Sequence, residues 1–376
     1  MKKTLQKSLA VLAAASVCSS MLLNFPSGTF SIHWNWQASA EETEGSTEGV
    51  AIDAANFPDE TFRTYVQENF DTTADGILSE SELEQVTEID VSSKGISDLT
   101  GVGYFIALKE LLCFNNNLTE LDVRQNLALQ RLQCHRNNLT ELDFSQNTAL
   151  QTLSCYNNNL TKLDVGQNTA LQTLDCDSNN LTELDVSRNT ALQMLACYNN
   201  NLTKLDVGQN TALDRLYCFN NNLTELDVRQ NPKLQWLECD KNNLTALDLS
   251  QNTALTSLVC SNNTYSIPLT GGTFDLSTLP EGFDLSKASD WTNATVDGNT
   301  LTVTDLKTDV TYTYDLGNEK TETFTLCPFV VLTESMVEAI PLQGYSGSAV
   351  TPDVTLKYGD DILQKDTDYT VSYAGN

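Results

Sequence analysis

Cysteine is the residue with the greatest chemical potential in this chain, which has ten of them. Thiols at such density could form disulfides, bind zinc or supply a nucleophile. Most of these cysteines are spaced 21 residues apart. Residues at that spacing that stack in register along a parallel sheet would lie about 4.8 Å apart, which is wider than the usual Cβ separation of a disulfide. The spacing therefore favours unpaired thiols packed as small hydrophobic side chains. No Cys-x-x-Cys motif supports zinc. Eight of the ten follow that spacing: Cys113, Cys134, Cys155, Cys176, Cys197, Cys218, Cys239 and Cys260.

A cysteine or serine nucleophile would also need an imidazole, and only one histidine follows the N-terminal leader. That residue, His135, comes directly after Cys134, and neighbouring residues of a strand point to opposite faces. The Cys-His dyad is therefore excluded, and a Ser-His-Asp triad would depend on one surface histidine. We assign no residue a catalytic role and interpret the chain as a protein that is not an enzyme.

Oxygen ligands suitable for calcium are concentrated in residues 71–82, which resemble an EF-hand loop with Gly76 at the tight turn. Thr73 departs from the pattern, because Asp or Asn is usual there. The alternative interpretation is an Asp/Gly turn that joins two capping helices. Calcium, with a structural role, is the only cofactor that the sequence suggests. Its predicted ligands are Asp71, Thr73, Asp75, the Ile77 carbonyl, Ser79 and Glu82.

The cysteines belong to a 21-residue repeat with the pattern Leu-x-x-Leu-x-Cys-x-x-Asn-x-Leu. Leu111 and Cys113 are two residues apart, so an extended segment buries both on one face. Stacked coils predict a parallel sheet, with asparagines such as Asn116 bonding backbone groups where the chain turns. The second half of each repeat copies the first ten residues later, which predicts extended structure on both flanks and no helices.

The pattern Leu-x-x-Leu-x-Cys-x-x-Asn-x-Leu resembles the leucine-rich repeat, and its 21-residue cysteine-ladder form is similar to that of internalin-type bacterial surface proteins. The resemblance implies a curved solenoid that binds host or matrix partners. The predicted fold class is mostly β: a leucine-rich-repeat solenoid with a small helical N-terminal cap and C-terminal β and immunoglobulin-like modules.

Residues on either side of each cysteine are expected to point outward, and many of them are aromatic. Exposed rings beside polar groups suit protein interfaces and sugar stacking. The alternative is that rows of rings only stabilise the parallel sheet. Asp175, Asp177, Glu238 and Asp240 interrupt the aromatic stripe. The predicted ligand-binding residues are Phe114, His135, Tyr156, Tyr198, Tyr217, Phe219 and Trp236.

The flanking segments predict five regions along the chain. Residues 1–40 have a basic start, an apolar stretch and Ala38-Ser39-Ala40, which is typical of a cleaved signal peptide, with a retained membrane anchor as the alternative. Residues 41–88 form the helical cap with the EF-hand-like loop, 89–263 the solenoid and 264–328 a β capping domain. Residues 329–376 resemble the first strands of bacterial immunoglobulin-like surface repeats, and the chain stops before such a module is complete.

Charge narrows the range of partners. Asp and Glu number 50 against 21 Lys and Arg, a net charge of -29, which excludes nucleic acid and a polybasic grip on lipid. We therefore expect a monomeric, secreted or cell-surface bacterial binding protein, adhesin-like, that recognises an extracellular host or matrix protein or glycan. The alternatives are the targeting region of a surface hydrolase whose catalytic domain lies beyond residue 376, and a purely structural envelope protein.

Overall fold

The computed structural model describes residues 49–331, together with 24–25, 28–29, 334–339, 353–358, 361–365 and 371. Residues 1–46 and 47–376 form two separate compact units. In the first unit, β1 (Asn24–Phe25) pairs antiparallel with β2 (Gly28–Thr29). Apart from these four residues, the predicted signal peptide lies outside the described residues. No helix in the described part of the chain is long and apolar enough to cross a membrane.

Two helices lie at the N-terminal end of the second unit. After β3 (Gly49–Ala51), α1 (Glu60–Phe70) is capped by the Asp59 side chain, which accepts from the backbone N–H of Phe62 at 3.0 Å. Strand β4 (Ile77–Ser79) pairs antiparallel with β3 and leads into α2 (Glu80–Gln85). The α1 face that contains Phe62 and Val66 is buried in the core shared with the first coils.

The centre of the unit is a nine-stranded parallel sheet in which each strand comes from one coil. Partners are equivalent positions of the repeat, so Leu111 pairs with Leu132 and Leu132 with Leu153. A short 3-10 helix (Val102–Tyr104) lies between the first two strands. The strands are β5 (Glu88–Asp90), β6 (Glu110–Leu112), β7 (Arg131–Gln133), β8 (Thr152–Ser154), β9 (Thr173–Asp175), β10 (Met194–Ala196), β11 (Arg215–Tyr217), β12 (Trp236–Glu238) and β13 (Ser257–Val259).

Leucines, cysteines and asparagines fill the interior of the coils. The eight repeat cysteines are unpaired and buried, as the stacking argument predicts. Each turn asparagine joins two coils: Asn158 donates to the carbonyls of Cys155 (3.0 Å) and Cys134 (3.2 Å) and accepts from the N–H of Leu139 (3.0 Å). The residue before each of these asparagines has a left-handed backbone, with φ between 51° and 58° in all eight coils.

The second flank of the solenoid differs from its prediction. Among the described residues it has no α-helix and one short 3-10 helix, Val102–Tyr104 in the first coil, and its only strand-like pairing is an isolated bridge between Asp122 and Asp143. Turns replace regular strands, because Asn126 N–H bonds back to the Val123 carbonyl and Leu129 N–H to that of Asn126. A second buried row of asparagines secures these turns: Asn147 donates to the carbonyls of Val123 (2.9 Å) and Asn126 (2.8 Å).

A β region follows the last coil from Thr264 and packs against it. The Tyr312 hydroxyl donates to the Thr245 carbonyl at 2.5 Å, and Leu249 N–H bonds the Leu316 carbonyl at 2.7 Å. Two sheets, ordered β14-β20-β19-β16 and β15-β18-β17, form this region. Its strands are β14 (Thr264–Leu269), β15 (Thr273–Asp275), β16 (Ala288–Thr292), β17 (Ala294–Asp297), β18 (Thr300–Val303), β19 (Val310–Gly317) and β20 (Lys320–Val330), with short 3-10 helices at Leu276–Thr278 and Leu285–Lys287.

The predicted immunoglobulin-like module is described only in part. A 3-10 turn (Glu334–Met336) and an antiparallel pair, β21 (Lys357–Tyr358) and β22 (Asp361–Ile362), are its regular elements among the described residues. Strand β20 runs two residues past the expected boundary at 328. The immunoglobulin-like assignment stays a prediction.

Candidate binding face

The open surface of the nine-stranded sheet, called the sheet face here, consists of three outward rows of side chains. They point away from the Leu/Cys interior because successive residues of a strand alternate between the two faces. The far row, three residues before each cysteine, is Glu110, Arg131, Thr152, Thr173, Met194, Arg215, Trp236 and Ser257. The middle row, one residue before, is Leu112, Gln133, Ser154, Asp175, Ala196, Tyr217, Glu238 and Val259. The aromatic row, one residue after, is Phe114, His135, Tyr156, Asp177, Tyr198, Phe219, Asp240 and Ser261.

Five predicted binding residues form two stacks in the aromatic row. The His135 ring lies between those of Phe114 and Tyr156, with centroid distances of 4.6 and 4.2 Å. Tyr198 stacks on Phe219 at 4.3 Å. All five side chains are half-buried, so the rings cover one another while their edges reach solvent. The regular repeat therefore turns single side chains into two continuous aromatic blocks.

The other two predicted binding residues lie outside these stacks. Tyr217 is in the middle row, and Trp236 is in the far row, where the Arg215 guanidinium lies 4.8 Å from its ring centroid. The Arg136 guanidinium is 5.9 Å from the ring of Tyr156 in the same way. The rings of the sheet face thus already hold two cationic groups.

Two carboxyl groups separate the aromatic stacks. Asp177 occupies the aromatic row between Tyr156 and Tyr198 and is only 3% exposed. Asp175 lies beside it in the middle row, and its buried Oδ1 has no hydrogen-bond partner. Burial, followed by the adjacent Asp177, raises the pKa of Asp175 to about 8. We call Asp175 and Asp177 the first acid pair, and Glu238 and Asp240, at the same two repeat positions, the second.

His135 is not placed for acid-base catalysis. Burial, together with the charge of Arg136, lowers the pKa of its imidazole to about 4. Its Nδ1 lies 3.2 Å from Ser154 Oγ, but the hydrogen bonds of the described residues give it no carboxylate partner. Cys134 is fully buried on the opposite side of the strand, and burial raises the pKa of its thiol to about 12. The ring serves as the middle member of the aromatic stack.

The predicted calcium loop is closed by its own hydrogen bonds. Glu82 Oε1 accepts from the N–H and hydroxyl of Thr72, both at 2.7 Å, and Oε2 accepts from Ser79. Asp71 accepts from the N–H groups of Asp75 and Gly76. Among the described residues, no group of three His, Cys, Asp or Glu is placed to hold a metal ion.

In the structure, Glu82, the residue expected at position twelve of the loop, takes part in the capping box of α2. Thr73 and Asp75 lie at the exposed edge of the loop. Calcium binding by these residues stays a prediction.

The sequence identified the acidic interruptions of the stripe but not their environment. Ser154 and Ala196 flank Asp175 in the middle row, and both are buried, at 7% and 2% exposure. Small side chains beside an acid pair allow the larger tyrosines to cover it. The signal was available in the 21-residue register, because it places Asp175 between a serine and an alanine.

Known proteins resemble this chain in sequence and in fold. No family model matches the chain. Internalin J of Listeria monocytogenes serotype 4b is 37% identical over 70 residues, which are 19% of this chain and 8% of that protein. Internalin J of a serovar 1/2a strain is 38% identical over 134 residues, 33% of this chain and 16% of that protein. The chain therefore spans less than a fifth of the length of these curated relatives.

Two solved structures align with this chain. Internalin C2 of Listeria monocytogenes aligns with a TM-score of 0.53 at 20% identity, over 58% of this chain and 100% of that one. The functional domain of InlJ from the same species, described as including a cysteine ladder, aligns with a TM-score of 0.48 at 23% identity, over 76% and 100%. The alignment with internalin C2 shows that the solenoid of parallel coils is a fold already known in a solved protein.

Proposed function

Starting from a leucine-rich-repeat solenoid of the internalin type with a cysteine ladder, we propose that this is a secreted or cell-surface bacterial binding protein. It recognises an extracellular protein or glycan through the sheet face. Leucine-rich-repeat proteins of this type act by presenting a surface, which supports a binding role for this chain.

The observation that carries the proposal is the contrast between the two sides of each strand. The inward side has the same Leu and Cys in every repeat, while the outward side carries half-buried rings and carboxyl groups that differ from coil to coil. Rings with exposed edges beside polar groups are typical of protein interfaces and of sugar-binding surfaces. Burial of the remaining ring area is therefore available to a partner.

A structural role for the rings is the second candidate, and one observation favours it. The rings of Phe114, His135 and Tyr156 stack on one another along the sheet, which stabilises neighbouring coils without any ligand. The third alternative, a targeting region for a surface hydrolase, also uses the sheet face for binding and differs only in what is attached to it.

Binding of the chain to a panel of matrix proteins, mucins and glycans tests the proposal. The informative variant is the triple substitution Tyr156→Ser, Tyr198→Ser and Phe219→Ser. Its control is Phe329→Ser, which removes an exposed ring from the β region instead. Specific binding that is lost in the still-folded triple variant and kept in the control would support recognition by the sheet face. Binding kept by both variants would move the site elsewhere, and no binding would favour the structural role.

A further inference from the structure

The sheet face alternates acidic and aromatic groups along the solenoid. We propose that it docks an extended basic segment of a partner protein, in which Lys or Arg side chains four residues apart contact the first and second acid pairs. This inference rests on the proposed function and specifies the chemistry of the partner.

The spacing of the acid pairs matches an extended polypeptide. The pairs occupy the same two repeat positions three coils apart, which is about 14 Å at the usual separation of parallel strands. Four residues of an extended chain also span about 14 Å. Tyr198, Tyr217 and Phe219 lie between the pairs and offer apolar contact to the residues between the two cations.

The first acid pair has no cation of its own. Asp177 accepts a hydrogen bond from the Ser178 hydroxyl at 2.7 Å, and no salt bridge among the described residues includes Asp175 or Asp177. Buried charges are normally paired, because desolvation penalises an isolated one. The raised pKa of Asp175 is the expected response of a carboxyl group that lacks a counter-charge. A docked ammonium or guanidinium group would supply that charge.

The rings beside the first acid pair suit a cationic guest. Tyr156 and Tyr198 lie on either side of Asp177 in the aromatic row, and both rings are half-exposed. Tyr156 and Trp236 already contact the guanidinium groups of Arg136 and Arg215. A cation above Asp177 would combine attraction to ring faces with attraction to carboxylates.

Charge also favours a basic polypeptide over the other partner class. The chain carries a net charge of -29, and such a field attracts positively charged partners. A neutral glycan would stack on the rings but would leave both acid pairs without a partner. The observations therefore favour a protein segment, with a glycan as the competing outcome of the test.

The experiment measures the affinity of the full chain for nine-residue Ser/Thr peptides by fluorescence anisotropy. One peptide has lysines at positions 3 and 7, a second has them at positions 4 and 6, and a third has glutamates at positions 3 and 7. The protein variants are Asp177→Asn and Asp240→Asn. Their controls are Asp164→Asn and Asp185→Asn, which remove equal charge from exposed positions on the opposite flank.

We expect the 3,7-lysine peptide to bind best and the glutamate peptide worst. Loss of a charge-assisted contact should weaken the lysine peptide about 10- to 100-fold in Asp177→Asn and Asp240→Asn, and leave the flank variants close to wild type. Equal binding of lysine and glutamate peptides, or an equal loss in flank and face variants, would overturn the inference. If a matrix protein, mucin or glycan of the panel still bound through the tyrosines, the proposed function would remain supported although the inference about a basic segment would be wrong.

Discussion

The interior of the coils and the sheet face are built on the same strands but follow different rules. Inside, Leu, Cys and Asn recur at each turn of the 21-residue repeat, and Asn158 has its hydrogen bonds made by two coils. On the sheet face, the position after the cysteine changes from Phe to His, Tyr, Asp and Ser. The interior therefore specifies the fold, while the variable face is free to specify a partner.

The largest test of this contrast uses two residues of one coil. Asn158→Ala removes three buried hydrogen bonds and leaves the backbone N–H of Leu139 without an acceptor, so we expect a loss of about 3 kcal/mol in the free energy of unfolding. Tyr156→Ser removes one half-buried stacked ring and should cost about 1 kcal/mol. Urea denaturation measures both. Equal losses of unfolding free energy in the two variants would contradict the distinction between the interior and the sheet face.

The cysteine ladder gives the next test. Burial raises the pKa of the Cys176 thiol far above its usual range, so the thiol should react with a maleimide only after unfolding. Cys176→Ser places a hydroxyl group in an apolar site and should cost about 2 kcal/mol, whereas Cys176→Ala should cost less. Rapid labelling of the folded chain would contradict the buried assignment. A serine variant as stable as the alanine variant would show that the site tolerates polarity.

The N-terminal cap extends the comparison to a buried carboxylate that is fully paired. Hydrogen bonds from the Thr72 hydroxyl and the Ser79 N–H lower the pKa of Glu82 to about 2. A lowered folded pKa means that this stabilisation is complete above the unfolded value near 4.5 and is lost as the pH falls toward 2. Glu82→Gln should cost about 1 to 2 kcal/mol at pH 7 and a small fraction of that at pH 2, where the carboxyl group is about half protonated. A cost that is the same at both pH values would disprove the role of the charge.

Calorimetry on the same loop separates this role from calcium binding. For calcium to bind, Glu82 must give up its bonds to Thr72 and Ser79. Heat at millimolar calcium that disappears in Asp75→Ala would establish the predicted ion site. If the wild-type chain gave no heat, calcium binding would be ruled out at this concentration, and the hydrogen bonds of Glu82 would be what holds the loop closed.

The repeat region was largely predictable because residues at the same position of successive repeats stack on one another in the solenoid, so the sequence period follows the structural one. The spacing of Leu111 and Cys113 predicted the buried side of the strand, and Asn116 predicted the position of the turn that follows it. The second flank was not predictable from the same pattern, because the hydrogen bonds of Asn126 and Asn147 fold it into turns. The sequence predicted where acidic residues interrupt the aromatic stripe, but the burial of Asp177 also depends on how the neighbouring rings lean, which residue types alone do not encode.

Asp175 provides the smallest change in stability and the only one expected to be favourable. A folded pKa of about 8, above the ordinary aspartate value of 3.8, means that ionisation opposes folding increasingly as the pH rises between these values. Asp175→Asn should therefore match wild type near pH 4 and be more stable by about 1 kcal/mol at pH 8.5. Urea titrations at both pH values measure this, with exposed Asp185→Asn as the control. A destabilised variant at pH 8.5 would mean that the carboxylate is already paired in the folded chain. A stabilised variant that binds the lysine peptide less tightly would show that the sheet face, unlike the interior, sacrifices stability for recognition.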